Sequence, residues 1–268
     1  MRAVASVEYI RDVEYGRGGD VPLYLDIYRP QPAPRTRLPS LVWLFGGAWR
    51  GGDRSDVPEF VRSLARRGYF VVSGDYRLSG QASFPAQIHD VKTIVRWLRA
   101  HVSTYGLDPE HISVAGHSSG AHLAALLGTS AGNPDLEGDG GWAQYSSTVQ
   151  AVVALSPPID ALDVPPDLPP GQNAWEELIG GAATDHPTLA RMSNPMTFIT
   201  PDSPPHLILH GTNDDTVPIR NADRLAQALR DAGVHMIYLP IEGGTHDIDT
   251  LVTREQETVI VDFLEKVE

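Results

Sequence analysis

A serine lies at the centre of the pentapeptide Gly116-His117-Ser118-Ser119-Gly120, between a short apolar run and a helical run. The pattern Gly-x-Ser-x-Gly, placed between a strand and a helix, is typical of the sharp turn that carries the nucleophile of serine hydrolases. At this turn the residues two before and two after the serine approach each other closely, so both have to be glycine. The pentapeptide therefore predicts that the Ser118 hydroxyl points out of the turn, where it can attack a substrate.

A pentapeptide this short also occurs by chance, so the prediction depends on the partners of the serine. A serine hydroxyl needs a general base, and the base needs a carboxylate that orients it. In one large class of serine hydrolases the acid and then the histidine follow the serine along the chain. Here Asp214 follows the penultimate apolar run and His246 follows the last one. The sequence therefore predicts Ser118 as nucleophile, His246 as general base and then acid, and Asp214 as the orienting residue, with Asp215 as the alternative acid.

The other histidines are expected to have structural roles. His210 ends an apolar run, whereas His117 and His122 flank or pack around the predicted turn. The ten histidines show no metal-ligand spacing such as His-Glu-x-x-His, and the chain contains no cysteine. The sequence therefore predicts no metal site and no other cofactor.

Acyl transfer also requires donors for the oxygen that becomes negatively charged in the tetrahedral intermediate. One predicted donor is the N–H of Ser119, at the start of a helix whose dipole adds to the effect. The other is expected from Gly46, Gly47 and Ala48, in the glycine-rich loop that follows the Leu41 to Phe45 run. Glycines allow the backbone of this loop to approach a substrate closely.

The rest of the chain has to supply the strands and helices that position these loops. Short, nearly continuous apolar runs, typical of strands buried on both faces, alternate with amphipathic helical stripes. Residues 21–27 alternate apolar and polar side chains, which predicts an antiparallel hairpin with residues 7–15. The prediction is an α/β fold with a mostly parallel central sheet of about eight strands, helices on both faces and an N-terminal antiparallel hairpin.

Residues 157–205 are rich in proline and glycine, and only 175–179 look helical. Long irregular segments in compact domains usually have a function. Because this one is inserted between two predicted core strands, we expect a single domain over residues 1–268 with a cap-like insertion at about 157–205. The cap would cover the carboxyl edge of the sheet, where open α/β sheets bind ligands.

Three tryptophans are candidates for the walls of a substrate pocket. Trp49 follows the glycine-rich loop directly, and Trp142 and Trp175 lie in or near the predicted cap. Ordinary packing is an equally good explanation for all three.

The composition is that of an ordinary globular protein of 268 residues, with a formal net charge of −13. This charge disfavours nucleic acids and anionic membranes as partners. No stretch approaches the roughly 20 apolar residues of a membrane span, and the N-terminus has no apolar run that fits a signal peptide. We therefore expect a cytoplasmic protein, or a secreted one if a leader has been removed. The sequence does not define the oligomeric state.

From about Leu25 to Phe263 the chain resembles α/β-hydrolases of the carboxylesterase and hormone-sensitive-lipase-like group, nearest to the feruloyl-esterase and acetylxylan-esterase-like branch. The resemblance implies an α/β-hydrolase fold with Ser118, Asp214 and His246 as its triad. It also implies an oxyanion hole around Gly46, Gly47, Ala48 and Ser119. The motifs that carry the resemblance are, in chain order, Leu25-Asp26-Ile27-Tyr28-Arg29-Pro30, Phe45-Gly46-Gly47-Ala48-Trp49, Asp75-Tyr76-Arg77-Leu78-Ser79, Phe84-Pro85-Ala86-Gln87, Tyr105-Gly106-Leu107-Asp108-Pro109, Gly116 to Leu127, Pro204-Pro205-His206-Leu207 and His210 to Pro218.

The chain departs from the pattern of this group near the predicted site. Phe45 replaces the histidine that usually begins the oxyanion loop, and Ala48 replaces its third glycine. Backbone donors survive both changes, but the histidine normally anchors the loop, which leaves open how this loop is held. Ser119 replaces the usual alanine and adds a hydroxyl to which the sequence assigns no role.

The sequence predicts a serine carboxylesterase that hydrolyses short-chain or aryl esters of small molecules through an acyl-enzyme intermediate. The residues after Gly116 also resemble the corresponding turn of arylformamidases, so a formamide or another amide is an alternative substrate. A noncatalytic ligand-binding protein on the same fold is a further alternative, which the presence of all three predicted triad residues disfavours.

Overall fold

An eight-stranded sheet forms the centre of the protein, with the strand order β1-β2-β4-β3-β5-β6-β7-β8. The computed structural model describes residues 6–34, 36–164 and 172–267. β2 pairs antiparallel with β1 and with β4, and every other pair in the sheet is parallel. The predicted α/β-hydrolase fold is therefore confirmed. The strands are β1 (Ser6–Gly18), β2 (Val21–Gln31), β3 (Leu38–Leu44), β4 (Phe70–Gly74), β5 (Leu107–His117), β6 (Ala151–Leu155), β7 (His206–Gly211) and β8 (Met236–Ile241).

Helices cover both faces of the sheet. Successive residues of a strand point to opposite faces, and the residues on both faces of the parallel strands are apolar. In β3, Leu41 and Trp43 pack in one cluster with the helices at 59–66 and 254–266. Val42 and Leu44 pack in another cluster, with the helices at 86–100 and 119–129. None of the described helices is long and apolar enough to cross a membrane. The described helices are α1 (Glu59–Arg66), α2 (Ala86–Ala100), α3 (Val102–Tyr105), α4 (Ser119–Thr129), α5 (Pro134–Glu137), α6 (Ala174–Ile179), α7 (Pro187–Ser193), α8 (Arg220–Asp231), α9 (Ile248–Leu251) and α10 (Arg254–Lys266).

The segment between β6 and β7 contains more helix than its composition suggests. Its described residues include α6, α7 and a 3-10 turn at Pro195–Phe198. The segment is attached to the core, since the Phe84 N–H donates to the Leu178 carbonyl (2.7 Å) and Trp175 is buried. Part of the predicted cap, 165–171, lies outside the described residues. The cap-like insertion at 157–205 and the single domain over 1–268 stay predictions.

The parallel strands place the predicted functional loops at one edge of the sheet. The carboxyl ends of β3, β5, β7 and β8 all point the same way, because these strands are parallel. The glycine-rich loop follows β3, Ser118 follows β5, Asp214 follows β7 and His246 follows β8. Residues that are up to 200 positions apart in the chain therefore meet at this edge.

Candidate active site

The turn at Ser118 is as sharp as its glycines suggest. Ser118 has φ 54° and ψ −122°, and α4 begins at the next residue. A Cβ atom on Gly116 would overlap the backbone of Gly120, and one on Gly120 would overlap the carbonyl of Leu44. The Ser118 N–H donates to the Leu155 carbonyl in the neighbouring strand (2.9 Å), which fixes the turn to the sheet. In this geometry the Ser118 hydroxyl lies just beyond the end of β5, within hydrogen-bond distance of His246.

Ser118, His246 and Asp214 form a continuous chain of hydrogen bonds. The distance from His246 Nε2 to Ser118 Oγ is 2.9 Å, and that from His246 Nδ1 to Asp214 Oδ2 is 2.7 Å. A carboxylate only accepts, so Nδ1 carries the ring proton and Nε2 is free to accept the hydroxyl proton. This arrangement can deprotonate the hydroxyl as its oxygen attacks a carbonyl carbon.

The Asp214 side chain is fully buried, yet its carboxylate is held in the ionised form. Burial alone would raise the pKa of Asp214, but hydrogen bonds from His210, His246 and the Val217 N–H outweigh it and hold the pKa well below its usual range. Asp214 Oδ1 accepts from the N–H groups of Thr216 (3.0 Å) and Val217 (2.8 Å). The carboxylate can therefore orient His246 and stabilise the imidazolium that forms on it.

The alternative acid and the neighbouring histidine have different surroundings. Asp215 is exposed, and its one hydrogen bond in the part of the chain that the structure describes is a long one from the Thr216 hydroxyl (3.4 Å). His210 is fully buried, and its Nε2–H donates to the Val217 carbonyl (2.7 Å) and lies 3.3 Å from Asp214 Oδ2. His210 thus supports the acid loop, as its position at the end of a strand suggested.

The glycine-rich loop adopts backbone conformations that are uncommon for side-chain-bearing residues. Ala48 and Trp49 have φ of 55° and 58°, and Gly47 has φ 127°. The N–H groups of Arg50 and Gly51 close a turn on the Gly47 carbonyl, at 2.9 and 3.1 Å. This turn carries the loop across the end of β5.

The predicted oxyanion donors lie close to Ser118. A Cβ on Gly46 would lie 3.2 Å from the Ser118 Cβ, which is a tight contact, so glycine eases this close approach of the loop. Ala48 and Ser119 line one cavity together with Ser118. Neither of their N–H groups has an acceptor among the described residues. Both are therefore free to stabilise negative charge on a bound carbonyl oxygen.

An aromatic pair holds the first residue of the glycine-rich loop, where this chain has Phe45. Phe45 and Tyr76 are stacked, with 4.4 Å between ring centroids and 12° between ring planes. The Tyr76 hydroxyl donates to the Phe45 carbonyl at 2.9 Å. Burial raises the pKa of Tyr76 above its usual range, with a smaller opposing effect from the nearby Ser119 hydroxyl. The Ser119 hydroxyl itself is buried and forms no hydrogen bond of good geometry with the described residues.

Sequence reasoning did not assign this function to Tyr76. The residue was visible only as part of the motif Asp75-Tyr76-Arg77 after β4. Its partner Phe45 lies 31 positions earlier, so no local pattern links the two residues.

A cavity of about 250 Å³ opens beside Ser118. One wall contains Trp49 and Trp175, whose ring centroids are 4.5 Å apart. The ring of His122, which is buried and does not line the cavity, meets both indole rings edge-on. Burial lowers the pKa of His122 to about 4, so the ring is neutral and its Nε2–H donates to the Ser193 carbonyl (2.7 Å). The lining also includes polar residues, namely Asp163, Gln172 and Asn173 between β6 and β7, Thr216 in the loop after β7, and Asn221 in α8.

Trp142 does not belong to this cavity, contrary to its selection from the sequence. Its indole N–H donates to the Tyr15 carbonyl (2.8 Å), and its ring packs edge-on against His101. These contacts attach the segment before β6 to the N-terminal hairpin. Trp142 therefore has a packing role away from Ser118, whereas Trp49 and Trp175 line the cavity.

A salt bridge connects the glycine-rich loop to α6, in the segment between β6 and β7. Arg50 Nε lies 2.6 Å from Glu177 Oε2, and both side chains are partly exposed. Within residues 6–34, 36–164 and 172–267, no group of three or more histidine, aspartate or glutamate side chains is arranged to hold a metal ion.

Comparison with known families and curated proteins places these features in context. The BD-FAE family model matches residues 25–229. Esterase LipQ of Mycobacterium tuberculosis is 33% identical over 267 residues, which cover 94% of this chain and 61% of LipQ. The chain thus spans about three fifths of the length of the curated relatives it matches.

Solved structures resemble the whole chain. A truncated carbohydrate esterase from gut microbiota is 27% identical and covers 100% of this chain and 98% of its own, with a TM-score of 0.88. Esterase 2 of Thermogutta terrifontis with bound propionate is also 27% identical, covers 99% and 95% and has a TM-score of 0.78. The Thermogutta esterase has also been solved in a form phosphonylated by sarin.

Proposed function

This chain belongs to the BD-FAE family, and from that membership and the geometry around Ser118 we infer that it is a serine carboxylesterase. Its substrates are short-chain or aryl esters of small molecules. Ser118 is the nucleophile, His246 the general base and then acid, and Asp214 the residue that orients His246. The N–H groups of Ala48 and Ser119 form the core of the oxyanion hole.

The reaction proceeds in two halves. Ser118 Oγ attacks the ester carbonyl carbon while His246 Nε2 takes its proton, and the carbonyl oxygen becomes an oxyanion held by the two N–H groups. The tetrahedral intermediate collapses, and His246 returns the proton to the departing alcohol. A water molecule then attacks the acyl-enzyme by the same route, which releases the carboxylic acid and restores the Ser118 hydroxyl.

The observation that carries this proposal is the unbroken hydrogen-bond chain from Ser118 through His246 to Asp214. Its two distances, 2.9 and 2.7 Å, are those of strong hydrogen bonds. Esterase names among the relatives, and the sarin adduct of the Thermogutta esterase, support the same chemistry.

The direct test is Ser118→Ala with a series of p-nitrophenyl esters from acetate to octanoate and one aryl ester. We expect kcat/KM to fall by at least about 10³-fold, because the nucleophile is lost while the fold is retained. Ser146→Ala is the matched control, since Ser146 is exposed and, among the residues that the structure describes, its hydroxyl forms hydrogen bonds only with Thr148. Ester hydrolysis that survives in Ser118→Ala at the wild-type rate would contradict the proposal.

The same panel, with N-formylkynurenine added, separates the alternatives that the sequence leaves open. N-formylkynurenine hydrolysed faster than every ester would assign the chain to formamide hydrolysis instead. Binding of an ester without turnover by the wild-type chain would indicate a ligand-binding protein. A cytoplasmic location and the absence of nucleic acid and membrane partners stay predictions from the sequence.

A further inference from the structure

His117, the residue before the proposed nucleophile, makes a contact that the reaction described above does not use. Its ring nitrogen Nε2 lies 2.9 Å from the main-chain carbonyl oxygen of His246. A carbonyl oxygen only accepts hydrogen bonds, so His117 Nε2 carries the proton. The two imidazole rings lie 4.9 Å apart between centroids and are tilted by 41°.

This hydrogen bond matters because the His246 main chain has few other attachments. Neighbouring residues of the loop are fixed, since the Asn213 N–H donates to the Gly244 carbonyl (2.8 Å) and the Thr245 N–H to the Thr250 hydroxyl (2.9 Å). The His246 main chain itself has no other hydrogen bond in the part of the chain that the structure describes. His117 is therefore the direct link between the backbone of the base and the turn that carries Ser118.

His117 also contacts the oxyanion loop. A Cβ on Gly46 would lie 3.1 Å from the His117 carbonyl oxygen and 3.2 Å from its Nδ1, so the loop packs directly against this residue. One side chain therefore joins the three segments that supply the nucleophile, the base and the oxyanion donors. These segments follow three different strands and come together only at the edge of the sheet.

The electrostatic surroundings keep His117 neutral. Burial and the neighbouring His246 lower the pKa of His117 to about 4. A neutral ring can lie close to His246 when His246 becomes positively charged during the reaction, whereas a second cation there would oppose proton transfer. The charged groups around His117 are Asp214 and Asp247 on the His246 side, and Asp56, Arg62 and Asp249 along the surface groove that its ring lines.

We propose that His117 is a positioning residue for ester hydrolysis, because its neutral Nε2–H holds the His246 backbone at the distance that the proton transfer from Ser118 requires. This inference rests on the proposed function. A shift of the base by about 1 Å can cost up to 100-fold in rate, even when the shifted group keeps its chemistry.

The test compares two variants of similar size. His117→Gln keeps a donor at the height of Nε2, whereas His117→Leu keeps the bulk and removes the donor. We expect His117→Leu to lower kcat about 10- to 100-fold with KM changed less than about threefold, and His117→Gln to recover kcat to within about fivefold of the wild type. A packing role alone would give the opposite order, because leucine fills an apolar space better than glutamine.

A histidine elsewhere on the surface controls for the general effect of replacing histidine by leucine. His235→Leu is the control, since His235 is exposed and its side chain has no hydrogen bond among the described residues. We expect that variant to behave as the wild type.

Hydrogen exchange of the 242–251 segment provides a readout that does not depend on catalysis. It should be faster in His117→Leu than in His117→Gln. The proposed role of His117 would be overturned if kcat of His117→Leu were equal to or above that of His117→Gln. Equal exchange rates of the 242–251 segment in the two variants would overturn it as well. Ser118→Ala measured alongside keeps the two questions separate, because its full activity would overturn the proposed function instead.

Discussion

Tyr76 and Phe45 are joined twice, by stacked rings 4.4 Å apart and by a hydrogen bond of 2.9 Å from the Tyr76 hydroxyl to the Phe45 carbonyl. Phe45 is the first residue of the loop whose N–H groups are proposed to hold the oxyanion. Tyr76, which lies just after β4, thereby fixes the loop that follows β3. A tyrosine thus anchors the loop in this chain.

Removal of this hydroxyl should affect both activity and stability. We expect Tyr76→Phe to lower kcat about three- to thirtyfold, because the Phe45 carbonyl loses its donor and the loop can shift. The unfolding free energy should fall by about 1 kcal/mol, the usual contribution of one buried hydrogen bond. Steady-state kinetics and urea unfolding measure the two effects. Tyr145→Phe, at a ring that is 37% exposed, should change neither. A Tyr76→Phe enzyme with full kcat would show that stacking alone anchors the loop.

The two adjacent aspartates provide a matched pair for the orienting role. Asp214→Asn should lower kcat by about 10³- to 10⁴-fold, since an amide cannot stabilise the imidazolium and disfavours the required ring tautomer. Asp215→Asn should stay within about twofold, because Asp215 is exposed and makes no contact with His246. Comparable losses in the two variants, measured on one p-nitrophenyl ester, would contradict the assignment of the acid to Asp214.

The aromatic wall of the cavity is expected to limit the size of the acyl group. Trp175→Ala removes one of the two indole rings of this wall and should raise the ratio of octanoate to acetate kcat/KM by about tenfold or more. A p-nitrophenyl ester series gives this ratio directly. Trp142→Ala removes the same side chain far from the cavity, so it should lower stability and leave the ratio unchanged. An unchanged ratio in Trp175→Ala would exclude this ring as a determinant of acyl length.

Two buried histidines should make the protein less stable in mild acid. Burial lowers the pKa of both His122 and His206 to about 4, below the value of about 6.5 that they have when unfolded. The unfolded chain therefore binds more protons between pH 4 and 6.5. The contribution of these residues to the unfolding free energy is complete above pH 6.5 and decreases as the pH falls towards 4, by about 1.4 kcal/mol per pH unit for each ring.

Urea unfolding at pH 7 and pH 4.5 measures this loss. His122→Gln and His206→Asn keep the donors to the Ser193 and Pro204 carbonyls without a titrating ring, so each variant should lose less stability between the two pH values. A loss equal to that of the wild type in both variants would assign the acid sensitivity to other groups.

Most of the fold was predictable because its signals are local. The strands of the parallel sheet are short apolar runs, and the runs at 207–209 and 236–239 lie within β7 and β8. The early part of β5 was not predictable, because the polar residues 108–111 interrupt the apolar pattern and the pairing of Leu107 with Leu38 is a tertiary contact. The helix α7 gave no signal, since only Ala190 and Ser193 of its residues are buried.

The candidate site was predictable for residues that are recognised by their order along the chain. It was not predictable for residues whose roles depend on tertiary packing. Ser118, Asp214 and His246 were selected by their positions after β5, β7 and β8, and their proposed roles stay predictions until variants are measured. Tyr76 and the backbone contact of His117 depend on partners in distant segments, so no spacing rule could indicate them. Trp142 was chosen by residue type near the cap, and residue type alone does not distinguish a cavity wall from a packing contact.

The backbone conformation at Ser118 lowers stability at the position whose hydroxyl the proposed reaction requires. Its φ of 54° and ψ of −122° form a combination that turns normally reserve for glycine, and a side chain there costs about 1–3 kcal/mol. Glycine at position 118 would relieve this strain and delete the hydroxyl at the same time. A library of this chain selected only for heat resistance would therefore enrich an inactive enzyme, so directed evolution has to select for turnover in every round.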